Sequence, residues 1–203
     1  GLHVVVQGLG HVGMSLCEYL HEAGVQLTVT DINDEAIKTA KERFGATFVE
    51  PDKIYDVKAD VFAPCALGAI INDQTLNRLK VKVVAGSANN QLLEDRHGKE
   101  LRNKGILYAP DFIINAGGLI NVYYEMLNTK GGDKVYTRAD VFKHLDIIPE
   151  NLLKTYMISD QDMISTSKAA DVLAENIFEA PMRKKYGETE EPLIKPKNSD
   201  EAA

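Results

Sequence analysis

Tryptophan is absent from the 203 residues, and cysteine occurs only twice, at Cys17 and Cys65. Two thiols so far apart in sequence give neither a disulfide framework nor a metal-ligand spacing, and they fit a reducing, cytoplasmic setting. Positive charge is scarce as well. A net charge of −7 argues against a nucleic-acid partner, which would call for a basic face. No uninterrupted apolar run approaches the roughly 20 residues of a membrane helix, and nothing resembles a signal peptide, so no membrane role is expected. A methionine start is missing too: Gly1 enters a core strand almost at once, and the expectation is a chain without its N-terminal part. A hydrophobic fraction of 44% is nevertheless enough for a packed core, and the length fits one large domain or one domain with extensions.

The stretch around which the chain is organised is Leu2-His3-Val4-Val5-Val6-Gln7-Gly8-Leu9-Gly10-His11-Val12-Gly13. A β-branched run reads as a buried strand, and G-x-G-x-x-G follows where a helix should begin. Gly8 permits a tight turn, Gly10 lets the backbone approach a pyrophosphate, and Gly13 lets helix pack closely on strand. The phosphates would lie on free amides at the positive end of the helix. A second strand, Gln26–Thr30, ends at Asp31, eighteen residues beyond Gly13 and close to the spacing of a ribose-binding acid. A carboxylate there accepts ribose hydroxyls and repels a 2′-phosphate, which favours NAD over NADP. The plainer alternative is that Asp31 caps the helix starting near Asn33 or Asp34.

Helices are expected at His11–Glu22 (Val12, Leu16 and Leu20 on the packing side), Asp34–Phe44, Asn72–Leu79 and Glu94–Lys104. Strands are expected at Thr47–Val49, Asp60–Ala63, Lys82–Gly86 and Ile106–Tyr108. This alternation predicts an α/β, Rossmann-type doubly wound, mostly parallel sheet with helices on both faces, plus C-terminal helices. Gly117–Leu127 reads as a further helix and 129–134 as a loop. Val135–Ile158 reads as two helices divided by Pro149, and Gln161–Lys184 as a last helix that Pro181 should bend or end. The expected domains are a cofactor unit at 1–128, a helical extension at 129–186 and a disordered acidic tail at 187–203.

Three turns fit a purely structural role poorly. Pro64-Cys65-Ala66-Leu67-Gly68-Ala69 offers small residues against which a flat ring could lie. Ala85-Gly86-Ser87-Ala88-Asn89-Asn90-Gln91-Leu92 offers amides, and Pro110-Asp111-Phe112-Ile113-Ile114-Asn115-Ala116-Gly117-Gly118 places Asn115 either as a helix cap or in the cleft. Cys65 lacks the His and carboxylate of an activated nucleophile, and Cys17 reads as a small core residue. His11, in the first helical turn, reads as a neutral spacer.

Together with Gly8–Gly13 and Val29-Thr30-Asp31, these turns resemble the cofactor domain of the amino-acid dehydrogenase superfamily (glutamate, leucine, valine and phenylalanine dehydrogenases). Ser167-Lys168-Ala169-Ala170-Asp171 is a weaker echo, and the leucine/valine/phenylalanine branch is the nearest. The resemblance implies oxidative deamination of an L-amino acid to a 2-oxo acid, ammonium and NADH. On it, Gly8, Gly10, His11, Val12, Gly13, Asp31, Ile32, Cys65, Ala66, Leu67, Ala88, Asn89 and Asn115 would border the cofactor. Asn115, Leu119 and Val122 would meet the substrate, and the apolar pair favours a branched aliphatic side chain. The family's catalytic lysines and aspartate lie in a domain that precedes this one, so no catalytic residue is assigned here and the chain alone is expected to be inactive. Lys80, Lys82, Lys130 and Lys134 are not nominated as substitutes, and no metal is expected. The resemblance also implies a homo-oligomer in the full-length protein.

Two other readings compete. A non-enzymatic NAD-sensing regulatory module would explain 1–45 but not the three turns. A hydroxy-acid dehydrogenase would need a His–carboxylate pair near the nicotinamide, and His97 reads as part of a surface helix.

Overall fold

A computed structural model describes residues 1–131 and 135–186, with side chains up to 178. The tail at 187–203 and Lys134 lie outside the described residues. Strand β1 (His3–Gln7) leads into α1 (His11–Glu22), β2 (Gln26–Thr30), α2 (Asp34–Phe44) and β3 (Thr47–Phe48). A 3-10 helix at Pro51–Asp56 precedes β4 (Val61–Pro64) and β5 (Val83–Val84). After α3 (Asp95–Asn103) come β6 (Leu107–Tyr108), the one-turn α4 (Asp111–Ile114) and α5 (Gly117–Thr129). The chain closes with α6 (Arg138–Leu145), α7 (Ile147–Asp162) and α8 (Thr166–Tyr186).

All six strands are parallel, in the order β3-β2-β1-β4-β5-β6. That is the strand order of the doubly wound dinucleotide-binding fold, in which the crevice opens beyond the carboxyl ends of the strands where the order reverses. Here the reversal falls between β1 and β4. Alternation in β1 feeds two cores. Val4 and Val6 pack with Cys17, Leu27, Val29 and Phe44 under α1 and α2, while Val5 packs with Phe62, Val84, Leu101 and Tyr108 on the other face. A strand covered on both faces has no solvent side, which is why β1 reads as an unbroken apolar run.

Several expected boundaries move, each for a local reason. Residues 72–79 form turns rather than a helix. The Asn72 carboxamide oxygen takes the amides of Gln74 and Thr75 as a helix cap would, and Leu76 donates to the Asn72 carbonyl. Arg78 then donates to Thr75, three residues back, so the turn is not carried on as an α-helix. The break between α6 and α7 falls at Asp146, and Pro149 sits inside the first turn of α7, where its missing N–H costs nothing. Helix α7 runs on through Gln161 to Asp162, because Met163 adopts the left-handed cap that glycine usually supplies (φ +57°). Helix α8 therefore starts at Thr166, and it continues past Pro181 to Tyr186. Among its described side chains, those of the first turns are covered, with Ala169 and Ala170 buried, whereas Ile177 and Phe178 are exposed. Val12 is 59% exposed, and the packing side of α1 is instead formed by Gly13 and Cys17 with Met14, Leu16 and Leu20.

His97 departs most from expectation. Although α3 is an outer helix, the ring is fully buried; Nδ1 accepts the Glu94 amide at 3.1 Å, and Nε2 lies 3.3 Å from Asp73. Among the described residues, no helix is long and apolar enough to cross a membrane.

Candidate functional site

The three glycines of the first turn have three different surroundings. Gly8 turns the chain out of β1 with φ +99°, donates to the Thr30 carbonyl at 2.8 Å, and lies so near the 64–66 turn that a Cβ would stand 2.7 Å from that of Ala66. A Cβ on Gly13 would stand 2.0 Å from the Gly8 carbonyl oxygen, so α1 can approach β1 only without one. Gly10 is the opposite case: nothing lies within 4 Å of where its Cβ would be. It is the N-cap of α1, whose first turn has no side-chain cap. The protein leaves backbone and open space where a helix end is most attractive to an anion.

Asp31 faces the same loop from the end of β2. Oδ2 accepts the Leu9 amide at 2.5 Å and Oδ1 the Asn33 amide at 2.8 Å. It does not cap α2; Asn33 does, accepting from Glu35 and Ala36. A carboxylate has about four acceptor positions, so two remain for hydroxyls outside the loop. Ile32, next to it, is 94% exposed. His11 is also exposed.

The other two turns lock together across the mouth of β4 and β5. Ala88 and Ala69 donate to the carbonyls of Pro64 and Asn90, at 2.9 and 2.6 Å. A Cβ on Gly86 would stand 2.2 Å from the Pro64 oxygen, and one on Gly68 would stand 2.5 Å from the Asn89 oxygen. These two glycines are therefore small to let the turns touch, rather than to make room for a ring. From inside, buried Gln91 ties the second turn by donating to the carbonyls of Gly86 and Ala88. Ala88 is buried, while Ala66 and Leu67 stay exposed on the rim.

Asn115 is not the cap of α5. That place falls to Ala116, and the Asn115 Nδ2 donates to Asn89 Oδ1 at 2.6 Å and to the Ser87 oxygen at 3.3 Å. No described residue donates to Asn115 Oδ1. Leu119 and Val122 are both exposed on α5, on the same side as Tyr123 and Met126. The fold thus gathers Gly8, Gly10, Gly13, Asp31, Cys65 and Ala66 around the ends of β1 and β4 and joins Asn89 to Asn115. It does not enclose Leu119 and Val122.

The two cysteines are neighbours in space. Cys65 packs against the core cluster that holds Cys17, and its Cβ lies 3.3 Å from the Cβ position of Gly13. Burial first, and then the nearby Cys65 thiol, pushes the Cys17 pKa up to about 12. His97 and Asp73 form a His–carboxylate pair, but the ring is inaccessible and Asp73 is held by Arg96. That guanidinium also pairs with Glu94 and Glu100. Asp73, His97 and Glu100 bring ligand atoms within 4.8 Å of one another, yet the ring nitrogens and carboxylates already serve this ion-pair hub.

Sequence reasoning gave no role to Asp111, whose buried carboxylate accepts the Tyr108 hydroxyl at 2.5 Å and the Asn90 amide at 2.8 Å. An acid after proline at a helix start reads as an ordinary first-turn residue, and nothing local marks it.

Residues 27–183 match the family model for glutamate/leucine/phenylalanine/valine dehydrogenase. The chain is 55% identical over 184 residues to a leucine dehydrogenase of Thermoactinomyces intermedius, covering 91% of the chain and 48% of that protein. It is 45% identical to an L-tryptophan dehydrogenase of Nostoc punctiforme, covering 91% of the chain and 51% of that protein. The crystal structure of L-tryptophan dehydrogenase from Nostoc punctiforme superposes with a TM-score of 0.81 at 47% identity, over 87% of this chain and 52% of that one. The chain thus spans about half the length of the curated relatives it matches. It belongs to the glutamate/leucine/phenylalanine/valine dehydrogenase family.

Proposed function

We propose that the chain is the NAD-binding half of an amino-acid dehydrogenase that oxidatively deaminates an L-amino acid, with branched aliphatic side chains favoured. The observation that carries the reading is Gly10: the one glycine of the motif with open space before it stands at the uncapped end of α1, beside Asp31. Gly8 and Gly13 shape the loop, and the amides around Gly10, His11 and Val12 hold the pyrophosphate. Asp31 accepts the adenosine ribose hydroxyls and repels a 2′-phosphate, while Val12 and Ile32 offer exposed apolar surface beside it. Cys65, Ala66, Leu67, Ala88 and Asn89 form the nicotinamide edge.

Bound NAD supplies a hydride acceptor. The chain orients that acceptor and presents Asn115, with Oδ1 available as an acceptor, toward the reacting carbon. Leu119 and Val122 form one apolar wall for the side chain, and neither offers the charge a glutamate carboxylate would require. The acid–base lysines and aspartate are assigned to the other half of the longer protein. Lys82 is paired with Asp60 at 2.8 Å and is not a substitute. The alternative, a regulatory module that only senses NAD, leaves the Asn89–Asn115 pairing unexplained. In a protein containing both halves, NADH formation across L-leucine, L-valine, L-phenylalanine and L-glutamate should be greatest with the branched aliphatic substrates. Absence of turnover on all four would refute the enzymatic reading.

A further inference from the structure

We infer that Asp111 is a positioning residue for the nicotinamide edge: its buried carboxylate holds the Asn90 peptide in the left-handed conformation on which the turns at 64–69 and 85–92 are registered. The inference rests on the cofactor reading above.

Asn90 adopts φ +52° and Ala69 φ +57°, a region that side-chain-bearing residues occupy only at a cost. The two meet directly, since Ala69 donates to the Asn90 carbonyl at 2.6 Å. Asp111 grips the other end of the same residue, accepting the Asn90 amide at 2.8 Å. Its second oxygen takes the hydroxyl of Tyr108, a phenol whose pKa burial and Asp111 together raise far above the ordinary value, so it remains a donor. Asp111 and Asn115 lie one helical turn apart, and the Asn115 amide donates to the Asp111 carbonyl at 2.9 Å. One short segment therefore holds the second turn at three points: Asp111 by the main chain of Asn90, and Asn115 by the side chain of Asn89 and the carbonyl of Ser87. A charged acceptor gives a shorter and stronger hydrogen bond than a neutral one, which suits a strained peptide.

Asp111 does not reach the cofactor edge itself, so its loss should show in what the turns present. Binding of NADH and of ADP-ribose, which lacks the nicotinamide ring, is measured on the 203-residue chain by nicotinamide fluorescence and calorimetry, with thermal melts alongside. The unaltered chain should bind both, with a shifted nicotinamide emission. Asp111→Ala should weaken NADH about tenfold, the scale of a lost charge-assisted hydrogen bond. It should abolish the emission shift while leaving ADP-ribose affinity within about twofold. Asp111→Asn, whose Oδ1 can accept from Asn90 while its NH₂ donates to the Tyr108 oxygen, should restore the shift. If Asp111→Ala does not fold, Asp111→Ser, too short to hold Asn90, carries the same expectation. Unchanged NADH emission and affinity, or equal loss of both ligands, would overturn the positioning role. Failure of the unaltered chain to bind either ligand would instead overturn the cofactor reading, and this inference with it.

Discussion

At the scale of single residues, the proposed function divides the glycines between folding and binding. Gly13→Ala forces a methyl against the Gly8 carbonyl, backbone against backbone, and should destabilise the chain by about 1–3 kcal/mol in denaturant melts. Gly10→Ala meets nothing in the protein. Its stability should change by less than about 1 kcal/mol, since alanine is only a poorer N-cap, yet its affinity for NAD should fall about tenfold or more. Equal effects of the two substitutions on stability and binding would contradict the separate roles. On the proposed reading Asp31 has two tasks, bracing the loop and accepting the ribose, so its loss reads in two ways. Asp31→Asn should lower NAD affinity about tenfold and narrow the preference over NADP, as a charged acceptor is replaced by a neutral amide. A variant with the original preference would show that the carboxylate serves only the Leu9 and Asn33 amides. Thiol chemistry checks the burial of Cys17. At pH 8 its pKa of about 12 leaves almost no thiolate, so an aromatic disulfide reagent should modify Cys65 in the native chain and Cys17 only after unfolding.

At the scale of elements, what was legible depended on whether the cause was local. Helix α2 was readable to both ends because Asn33 caps it and Gly45 ends it in the left-handed region. The end of α7 was not, since Met163 takes the conformation that the eye seeks in glycine. The link of Asp31 to Leu9 spans the loop, α1 and β2, so neither residue's neighbours announce it. Gly68 and Gly86 show the same limit: smallness was visible, but the backbone that each one clears belongs to another turn. The Arg96 hub, which ties α3 to the 72–79 turn, gives an element-scale test. Hydrogen bonding to Arg96 lowers the Asp73 pKa from 3.8 to about 2. A carboxyl depressed on folding stabilises fully above its unfolded value and loses that contribution as pH falls through its folded one. Asp73→Asn should therefore melt below the unaltered chain at neutral pH, and the gap should close between pH 3.8 and about 2. It should also shrink with salt, because these groups are exposed. A gap that survives to pH 2 would mean the pair is not the cause.

At the scale of the whole molecule, the sheet and its crevice were legible because six strands and their turns repeat one pattern, and each repeat reinforces the next. The way the C-terminal helices return was not. Thr166 donates to the Tyr108 carbonyl and Arg102 reaches Ser159 and Asp160, long-range contacts that seat α7 and α8 beside β6 and α3. The candidate site is correspondingly open. Leu119, Val122, Tyr123 and Met126 remain exposed beside Asn115, which suits the proposed cofactor half. The most direct test of that account is calorimetric titration of the 203-residue chain with NAD and with NADP, followed by an assay with NAD and L-leucine. The account predicts saturable binding of one NAD per chain, NADP weaker by about tenfold or more, and no NADH formed. No saturable NAD binding, or turnover of L-leucine by the chain alone, would contradict it.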